Sequence, residues 1–349
     1  MRSTYDDQDV TILLKDITGM VAPQSTLERE RLIQSGKHYS EMLPIEYIPT
    51  GRYMDAYMRA LEDYSVVTAQ AIGILADKII AEKGKDVVLV SLARAGIPIG
   101  ILLKRYLEWK YQIDVKHYAI SIIRGRGIDH NAMEYILKRH KPETLQFVDG
   151  WIGKGAILHE LEKDLEEYEG VSKELAVVAD PAHMTKLCGT HEDILIPSSC
   201  LNSTVSGLIS RTFLREDVIG PNDFHGAVYY GELREKDLSN QFLTTIQSNF
   251  ERDGIEKETV SKGTGLEEVK KIAQAYEVSD INFIKPGIGE ATRVLLRRVP
   301  WKILINEKEK ENEMLRHLIQ LAEEKNVSIE YYPLENYKAC GIIKKIADV

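Results

Sequence analysis

The chain has few cysteines: Cys188, Cys200 and Cys340 are the only three in 349 residues, and they lie far apart. A disulfide framework or a cysteine-rich zinc site needs more of them at closer spacing, so the sequence excludes both and is typical of a reducing compartment. It also lacks an apolar run near the ~20 residues of a membrane-spanning helix. Its acidic first residues do not form the basic and then apolar pattern of a signal peptide. These absences predict a cytoplasmic protein with no membrane partner.

An excess of positive charge is also absent, since the formal net charge is −9. This argues against broad coating of nucleic acid, although a local basic patch could still bind RNA. With 44% hydrophobic and 28% charged residues, the composition is that of a folded globular protein. A chain of this length is too long for one ordinary core, and two domains are therefore expected.

What the sequence does contain is an alternation of apolar runs and helical patterns. Residues 52–82 carry apolar residues at helical spacing without proline, and five apolar runs follow: DVVLVSL, HYAISII, TLQFVDG, ELAVVAD and DILIPSS. Amphipathic segments separate most of these runs. The order predicts an α/β fold, with a mostly parallel sheet covered by helices on both faces. Ligands of such sheets bind beyond the carboxyl ends of the strands.

A charged, glycine-bearing stretch at 251–265 predicts a linker. It would join a first domain at 1–250, which carries an N-terminal helical extension, to a second domain at 266–349. The second domain has a shorter alternation of helical and strand patterns. Its size fits a small α/β/α domain of three layers.

The run VVLVSLARAGIPIG places Arg94, Ala95 and Gly96 in a turn between a strand and a helix. Glycine lets the backbone approach an anion, the helix start supplies unpaired N–H groups, and arginine adds a bidentate donor. The turn therefore suits a phosphate. The alternative is a tight turn with a solvated arginine.

A second turn of this kind occurs in TLQFVDGWIGKGAIL. Asp149 ends the strand, where its carboxylate could accept hydrogen bonds from ribose hydroxyls. Gly153, Lys154 and Gly155 form a turn that could enclose a terminal phosphate. The alternative is only a tight turn under a helix. Two such turns on one parallel sheet are nevertheless stronger evidence for phosphate binding than either turn alone.

Two further stretches also follow strands. SIIRGRGIDHN supplies Arg124 and Arg126, which suit either a mobile loop that closes on a polyphosphate or a solvated basic loop. Asp180 in VVADPAH is a weaker candidate for ordering the substrate or a metal ion.

LARAG and FVDGWIGKGAI together resemble the pyrophosphate loop and the ribose-phosphate motif of the phosphoribosyltransferases. Over residues 10–250 the chain is similar to a narrower group, the phosphoribosyltransferase-like proteins of bacterial tellurite-resistance and stress gene clusters, which also carry the label "cysteine protease StiP". The resemblance implies a substrate, phosphoribosyl pyrophosphate with Mg²⁺ or a nucleotide, and a base-like acceptor. It implies Asp149, Arg94 and Lys154 as catalytic residues. The implied phosphate-binding residues are Ala95, Gly96, Gly153, Gly155, Arg124 and Arg126.

The chain departs from the phosphoribosyltransferase pattern at Gly150, where most members have a second acidic residue that grips the ribose. One carboxylate is therefore missing. An alternative function follows from this departure: a non-catalytic sensor that binds a nucleotide and RNA without turnover.

The stretch IPSSCLNSTVSGLISRT is rich in small hydroxylated residues. We interpret it as the wall of the substrate pocket, where hydroxyls and an amide could bind a base-like ligand. Its candidate residues are Ser199, Cys200, Asn202, Ser203 and Thr204. A thiol hydrolase using Cys200 is the other interpretation, but it needs a nearby histidine, and the spacing pairs none with this cysteine.

The one basic focus of the chain lies between residues 285 and 302. A glycine turn there opens a helix, which suits RNA phosphates, unless the basic helix is simply solvated or docked on the first domain. Residues 266–347 also resemble the Pelota-type branch of the kink-turn-binding proteins, with glycine at 289 in place of the family's asparagine. The resemblance implies binding of structured RNA. Its candidate residues are Lys285, Gly287, Gly289, Glu290, Arg293 and Arg297. The leading interpretation is a phosphoribosyltransferase-like enzyme coupled to RNA binding.

Overall fold

The first domain of the computed structural model, which describes residues 1–46, 48–252 and 263–346, is built on a mostly parallel sheet. Its strands in chain order are β1 (Thr11–Ile12), β2 (Lys15–Asp16), β3 (Val88–Ala93), β4 (Lys116–Ile123), β5 (Gly127–Ile128), β6 (Leu145–Trp151), β7 (Leu175–Ala179), β8 (Cys188–Thr190) and β9 (Gly226–Ala227). The main sheet has the order β1-β4-β3-β6-β7-β8, all parallel, and β5 pairs with β4 in antiparallel orientation. Strands β2 and β9 form a separate parallel pair.

Helices cover both faces of this sheet, as the sequence predicts. They are α1 (Thr26–Gln34), α2 (Gly51–Lys83), α3 (Gly96–Tyr111), α4 (His130–Leu137), α5 (Ala156–Asp164) and α6 (Ser239–Gln247). Successive side chains of a strand point to opposite faces. Val88 and Val90 of β3 accordingly pack in the cluster that contains α4 and α5, whereas Leu89 packs in the cluster with α2 and α3. The predicted α/β fold class is confirmed.

Helix α2 is a single element of 33 residues that meets the length and composition of a membrane span. The sequence prediction had found no apolar run of that length. In the most apolar window of the helix, 56% is buried inside the protein. Its buried side chains, among them Tyr53, Tyr57, Ile72 and Leu75, join the main core. Contacts within the protein therefore account for its apolar face.

The run DILIPSS, expected to be a strand, is not one. The edge strand β8 forms earlier, at Cys188–Thr190, and residues 197–200 form a short 3-10 turn. Burial explains the apolar pattern, because Ile194, Leu195 and Ile196 belong to the main core without pairing in the sheet.

The second domain has a four-stranded sheet with helices on both sides. Its elements are α7 (Gly265–Ala275), β10 (Ile284–Pro286), α8 (Ile288–Arg297), β11 (Pro300–Ile305), α9 (Arg316–Glu324), β12 (Ser328–Tyr331) and β13 (Ala339–Ile343). The sheet order is β10-β13-β11-β12, so β13, the last strand in the chain, is an inner strand of the sheet. Residues 253–262 of the predicted linker and 347–349 lie outside the described residues.

The two domains are docked along α8. Ile288, Leu295, Leu318 and Leu321 of the second domain belong to the same apolar cluster as α2 and α3 of the first. A polar contact fixes the start of α8: Asp193 of the first domain accepts a hydrogen bond from the Ile288 N–H at 3.1 Å and from the Lys338 N–H at 2.9 Å. A helix N-terminus has unpaired N–H groups and a partial positive charge, which a carboxylate satisfies. Asp193 therefore sets where α8 lies against the first domain.

Candidate functional site

The two glycine turns predicted to bind phosphates lie side by side. Strands β3 and β6 are neighbours, so their carboxyl ends meet at one edge of the sheet. A Cβ atom at Gly96 would lie 2.5 Å from the carbonyl oxygen of Val148 and 3.2 Å from the Cα of Asp149. Only glycine allows this approach. The structure thus brings the turn at 94–96 against the start of the turn at 149–155.

Asp149 faces both domains. Its carboxylate accepts a hydrogen bond from the Gly150 N–H at 2.7 Å. Burial raises the pKa of Asp149 to about 6, with the Arg293 charge opposing and the Glu290 charge reinforcing the shift. An ionised carboxylate held in a poorly solvated place is a strong acceptor for hydroxyl groups.

Arg94 also borders the site, but in this arrangement its guanidinium is engaged. It donates to the Ile209 carbonyl at 2.7 Å and lies 3.8 Å from a carboxylate oxygen of Glu46. The side chains of Arg94 and Glu46 are both 7% exposed. Arg94 is therefore held at the carboxyl edge of β3, where the sequence placed it, by two groups that an anion would compete with.

The turn at 153–155 faces the second domain rather than open solvent. Gly155 has φ +84°, and a Cβ there would collide with Met184. The Lys154 ammonium donates to the carbonyls of Ile281 and Ile284, and burial lowers its pKa to about 7. The expectation that this amine contacts a phosphate is therefore not met in this arrangement, because two carbonyls of the second domain already occupy it.

The two arginines of the RGRG loop have different positions. Arg124 lines the space between the domains, where it donates to Asn282 at 3.0 Å. Arg126 instead pairs with Glu41 and donates to the Leu214 carbonyl at 3.1 Å. Of the pair, only Arg124 is placed to meet a ligand.

These residues border a cavity between the domains with two adjoining lobes, of about 300 and 380 Å³, that share part of their lining. Asp149 and Ala95 line both lobes. Arg94 lines only the smaller lobe, and the turn at 153–155 lines only the larger one. The expected pyrophosphate turn and the expected 5′-phosphate turn thus open on opposite lobes, with Asp149 between them.

The predicted RNA-binding turn of the second domain points into this cavity. Arg293 lies over the Trp151 ring, 4.3 Å from its centre, and 3.6 Å from Glu290. Gly289 packs against the same ring, and Arg297 donates to the side-chain oxygen of Asn202. The structure therefore shows the basic helix α8 docked on the first domain, which was one of the alternatives for this helix.

The two remaining residues of that turn are enclosed as well. Burial lowers the pKa of Lys285 to about 8, and this residue lines both lobes. Gly287 lies beside the Asp193 carboxylate. An RNA could reach the turn only if the two domains moved apart.

The small-residue stretch forms less of the wall than expected. Of its five candidates only Asn202 lines either lobe. Ser203 donates to Glu46 at 3.1 Å, the Thr204 carbonyl accepts from Leu238, and Ser199 is buried. The hydroxyl groups thus belong mainly to the packing behind the site.

Cys200 has the surroundings of a packed residue. It is fully buried, and burial raises the pKa of its thiol to about 12. Tyr53 donates to its backbone carbonyl at 2.8 Å. A thiol with such a pKa is almost entirely protonated at neutral pH and is a poor nucleophile.

Asp180 does not have the setting of a metal ligand. One of its carboxylate oxygens accepts hydrogen bonds from the backbone N–H groups of Met184 and Thr185, at 2.6 and 2.8 Å. The side chain is fully buried, and across the described residues no group of three or more His, Cys, Asp or Glu side chains could hold a metal ion. Magnesium prefers several oxygen ligands and keeps some of its water. The structure therefore gives no support to Asp180 as a magnesium ligand.

A second thiol was overlooked in the sequence. Cys188 lies at the edge of the sheet with its Sγ 3.4 Å from Nε2 of His191. The Nδ1 of His191 is 2.9 Å from the Asp180 carbonyl, so it carries the proton and leaves Nε2 as the acceptor facing sulfur. The sequence signal was the short spacing in CGTH, which has meaning only once β8 is known to end there.

Arginines outside the glycine turns were also missed. Arg29, Arg211 and Arg298 line both lobes of the cavity. No local motif marks them, because α1 and the segment after residue 208 reach the site only through the tertiary fold.

Comparison with known proteins finds two family models that match different parts of the chain. Residues 263–345 match the family model described as the PELOTA RNA binding domain. Residues 3–247 match the model described as "Tellurite-like stress resistance cysteine protease StiP". A protein of Acinetobacter baylyi named "Cysteine protease StiP" is 37% identical over 364 residues, covering 98% of this chain and 94% of that protein. The chain belongs to the StiP family and carries a Pelota domain at its C-terminal end.

Two solved structures give a weaker likeness, and both are hypoxanthine-guanine phosphoribosyltransferases of Bacillus anthracis. The first is 19% identical with a TM-score of 0.26, covering 36% of this chain and 71% of that chain. The second, with HEPES in its active site, is 15% identical with a TM-score of 0.24, covering 41% and 75%. Scores this low carry no argument about fold or activity.

Replacing Asp149 should stabilise the protein at neutral pH. Because burial raises the pKa of Asp149 from 3.8 to about 6, the ionised carboxylate opposes folding once the pH exceeds the unfolded value. We expect Asp149→Asn to raise the melting temperature at about pH 7. The free energy of unfolding should increase by up to ~3 kcal/mol at this pH, and the increase should disappear as the pH falls through about 6 towards 4. Calorimetry across this range measures the effect, with Asp86→Asn on the exposed surface as the control. A loss of stability at every pH would contradict the assignment.

Proposed function

We propose that the cavity between the two domains binds phosphoribosyl pyrophosphate, or a nucleotide with the same arrangement of anionic groups, and that the protein transfers the phosphoribosyl group to an acceptor. The observation that carries the proposal is the placement of Asp149 between two anion-suited glycine turns that open on different lobes of one cavity. A sugar with an anionic group at each end has this pattern of charges.

Each turn would take one end of the ligand. Backbone N–H groups at the start of α5 would bind the 5′-phosphate, and those after Ala95 would bind the pyrophosphate together with Arg94. Asp149 would accept hydrogen bonds from the ribose hydroxyls. For Arg94 to reach the ligand, an incoming phosphate must displace the Ile209 carbonyl as its acceptor, which a doubly charged group can do because charge-assisted hydrogen bonds are the stronger ones.

The transfer breaks the bond between the ribose C1′ and the pyrophosphate oxygen and forms a bond from C1′ to the acceptor. The electron pair of the broken bond leaves with pyrophosphate. The protein's contribution would be to hold both partners in line and to stabilise the departing charge with fixed donors. The chain has a single carboxylate at this position, because Asp149 is followed by Gly150. The competing proposal is therefore a sensor that binds the same ligand without transferring the phosphoribosyl group.

RNA binding by the Pelota domain would be coupled to this site. Its turn shares the cavity with the first domain, so the same surface cannot face RNA and the cavity at once. We infer that RNA binds when the second domain separates from the first, and that a ligand bound in the cavity opposes this separation. The energetic barrier includes loss of the contacts that Asp193 makes with the start of α8.

A thiol hydrolase is the second candidate, favoured by the name of the Acinetobacter relative and by the contact between Cys188 and His191. In this candidate the thiol proton passes to Nε2 of His191 and the sulfur becomes the nucleophile. Cys188 is fully buried, so His191, which is 24% exposed, would have to move aside to admit a substrate. Cys200 has no comparable partner among the described histidines.

Calorimetric titration with phosphoribosyl pyrophosphate and magnesium tests the leading proposal. We expect wild type to bind, and Asp149→Asn to weaken binding by about tenfold or more because charged acceptors contribute more than neutral ones. Arg139→Gln, an exposed arginine over Tyr135, serves as the control and should bind normally. Pyrophosphate release with a panel of bases then separates a transferase from a sensor. If the wild type does not bind the compound, the proposal fails.

RNA binding should increase when the docking contact is removed. Asp193→Ala leaves the N–H groups of Ile288 and Lys338 without their acceptor, which costs on the order of 2–4 kcal/mol in the docked state. We therefore expect this variant to bind a structured RNA more tightly than wild type in filter assays, and Arg297→Glu added to it to abolish the gain. Asp86→Ala is the matched control. Equal RNA binding by wild type and Asp193→Ala would show that the RNA uses another surface.

The two cysteines can be distinguished by labelling. If the protein is a thiol hydrolase, a cysteine-directed probe should modify wild type and Cys200→Ser but not Cys188→Ser, and His191→Ala should slow the reaction most near neutral pH, where the imidazole acts as the base. Mass spectrometry of the labelled peptide reads out the site. Labelling that persists in Cys188→Ser and disappears in Cys200→Ser would reverse the assignment.

A further inference from the structure

The cavity contains two guanidinium groups that form no close ion pair with a carboxylate of the described residues. Arg29 of α1 is 2% exposed, and its Nε atom has no hydrogen-bond partner among the residues that the structure describes. Arg211 lies over the ring of Tyr39, 4.5 Å from its centre. Within the described part of the chain, no carboxylate oxygen lies within 4 Å of either guanidinium. Burying a charge without a partner is costly, so such an arrangement points to a missing anion.

The balance of charge in the smaller lobe supports this. Seven cationic side chains and three carboxylates line it. The cations are Arg29, Arg94, Arg211, Lys285, Arg293, Arg297 and Arg298, and the acids are Glu46, Asp149 and Glu290. Outside the lining, Glu30 neutralises Arg298 through two hydrogen bonds of 2.6 and 2.9 Å. A clear positive excess remains.

Burial and the excess of positive charge lower the pKa of Arg211. Burial, followed by the charge of Arg29 and then by those of Arg298 and Arg94, lowers its pKa to about 9. Burial and the charge of Arg298 also lower the pKa of Arg29, although the charges of Glu30 and Glu46 oppose this shift. Like charges gathered in a poorly solvated place repel each other unless an anion lies among them.

Neither arginine belongs to the turns that would bind phosphoribosyl pyrophosphate. Those turns are at 94–96 and 149–155, whereas Arg29 and Arg211 come from α1 and from the segment after residue 208. The lobe also offers an aromatic ring, Tyr39, and apolar side chains, among them Ile45, Leu92 and Leu296. A flat ring that carries an acidic group has the shape and the charge for this place.

We propose that Arg29 and Arg211 form a subsite for an anionic group on the acceptor, and that the acceptor is a planar aromatic or heteroaromatic compound carrying a carboxylate or a phosphate. This rests on the proposed function for the identity of the first ligand, but not for the existence of the anion subsite. Arg211 supplies a bidentate donor stacked on Tyr39, and Arg29 supplies the buried donor that lacks an acceptor.

Matched pairs of compounds that differ in one acidic group provide the test. Nicotinate is compared with nicotinamide and orotate with uracil for a carboxylate, and phenyl phosphate with phenol for a phosphate. Each is titrated into the full chain with and without saturating phosphoribosyl pyrophosphate and magnesium. We expect at least one acid to bind about tenfold or more tightly than its neutral counterpart. Equal binding within every pair overturns the proposal.

Substitutions then assign the subsite. In Arg211→Gln and Arg29→Gln, the loss of affinity for the acid should exceed the loss for phosphoribosyl pyrophosphate by about tenfold, while Arg211→Lys, which keeps the charge, should retain part of the preference. Arg139→Gln is the control, because Arg139 also lies over a tyrosine ring but is exposed. Equal loss for both ligands would place the arginines in the phosphoribosyl pyrophosphate site and overturn the proposal.

Stability measurements keep the test independent of the first ligand and of misfolding. Sulfate should raise the melting temperature of wild type more than chloride at the same ionic strength, and this difference should shrink in both glutamine variants. Without added anion, the variants should melt no lower than wild type, since an unpaired charge has been removed. If an acid still binds through Arg211 while phosphoribosyl pyrophosphate does not bind, the subsite stands and the proposed function falls. A sulfate effect that is unchanged in both variants contradicts the subsite.

Discussion

The structure depends on one contact between the domains: the Asp193 carboxylate at the first turn of α8. Burial of Asp193 disfavours the ionised form of its side chain and raises its pKa to about 6. The hydrogen bonds from Ile288 and Lys338 offset part of that cost and hold the helix at one position. From that position, Glu290, Arg293 and Arg297 follow along α8 into the cavity. The site is therefore built jointly by two domains that the sequence suggests are separate units.

This joint construction changes the meaning of the basic helix. As an isolated unit, the Pelota domain would present Lys285, Arg293 and Arg297 to solvent, in the manner of an RNA-binding surface. In the whole chain Arg293 instead lies over the Trp151 ring, Arg297 donates to Asn202, and Lys285 lines the cavity. Under the proposed function, one set of charges would have two partners, the first domain and RNA, and the relative free energies of docking and of RNA binding would decide between them.

Local signals in the sequence were enough to predict the elements that carry the site. The turns after β3 and β6 could be located because glycine, a strand before it and a helix after it are all encoded within about fifteen residues. The packing of Val88 and Val90 on one face of the sheet and of Leu89 on the other follows from the same strand geometry. In contrast, β13 was not anticipated, because a short buried strand with a glycine looks like a loop until its neighbours are known.

The rest of the site arises from long-range packing and could not be predicted from the sequence. Nothing near Arg29 or Arg211 indicates that α1 and the segment after residue 208 converge on the same cavity. What Lys154 and Cys200 can do depends in the same way on the residues packed against them. Two carbonyls of the second domain accept hydrogen bonds from the lysine, and the cysteine lies in a close-packed core where no described histidine contacts it.

The apolar cluster shared by α2, α8 and α9 has a consequence for how the chain can be divided. Its members from the second domain, such as Leu295 and Leu318, are almost completely buried, and α9 covers part of the surface of α2. A shortened chain ending near residue 250 would present that surface to water, where it would favour self-association over a monomeric fold. Truncated forms of this protein are therefore poor substitutes for the intact chain, because the apolar surfaces of the two domains are complementary.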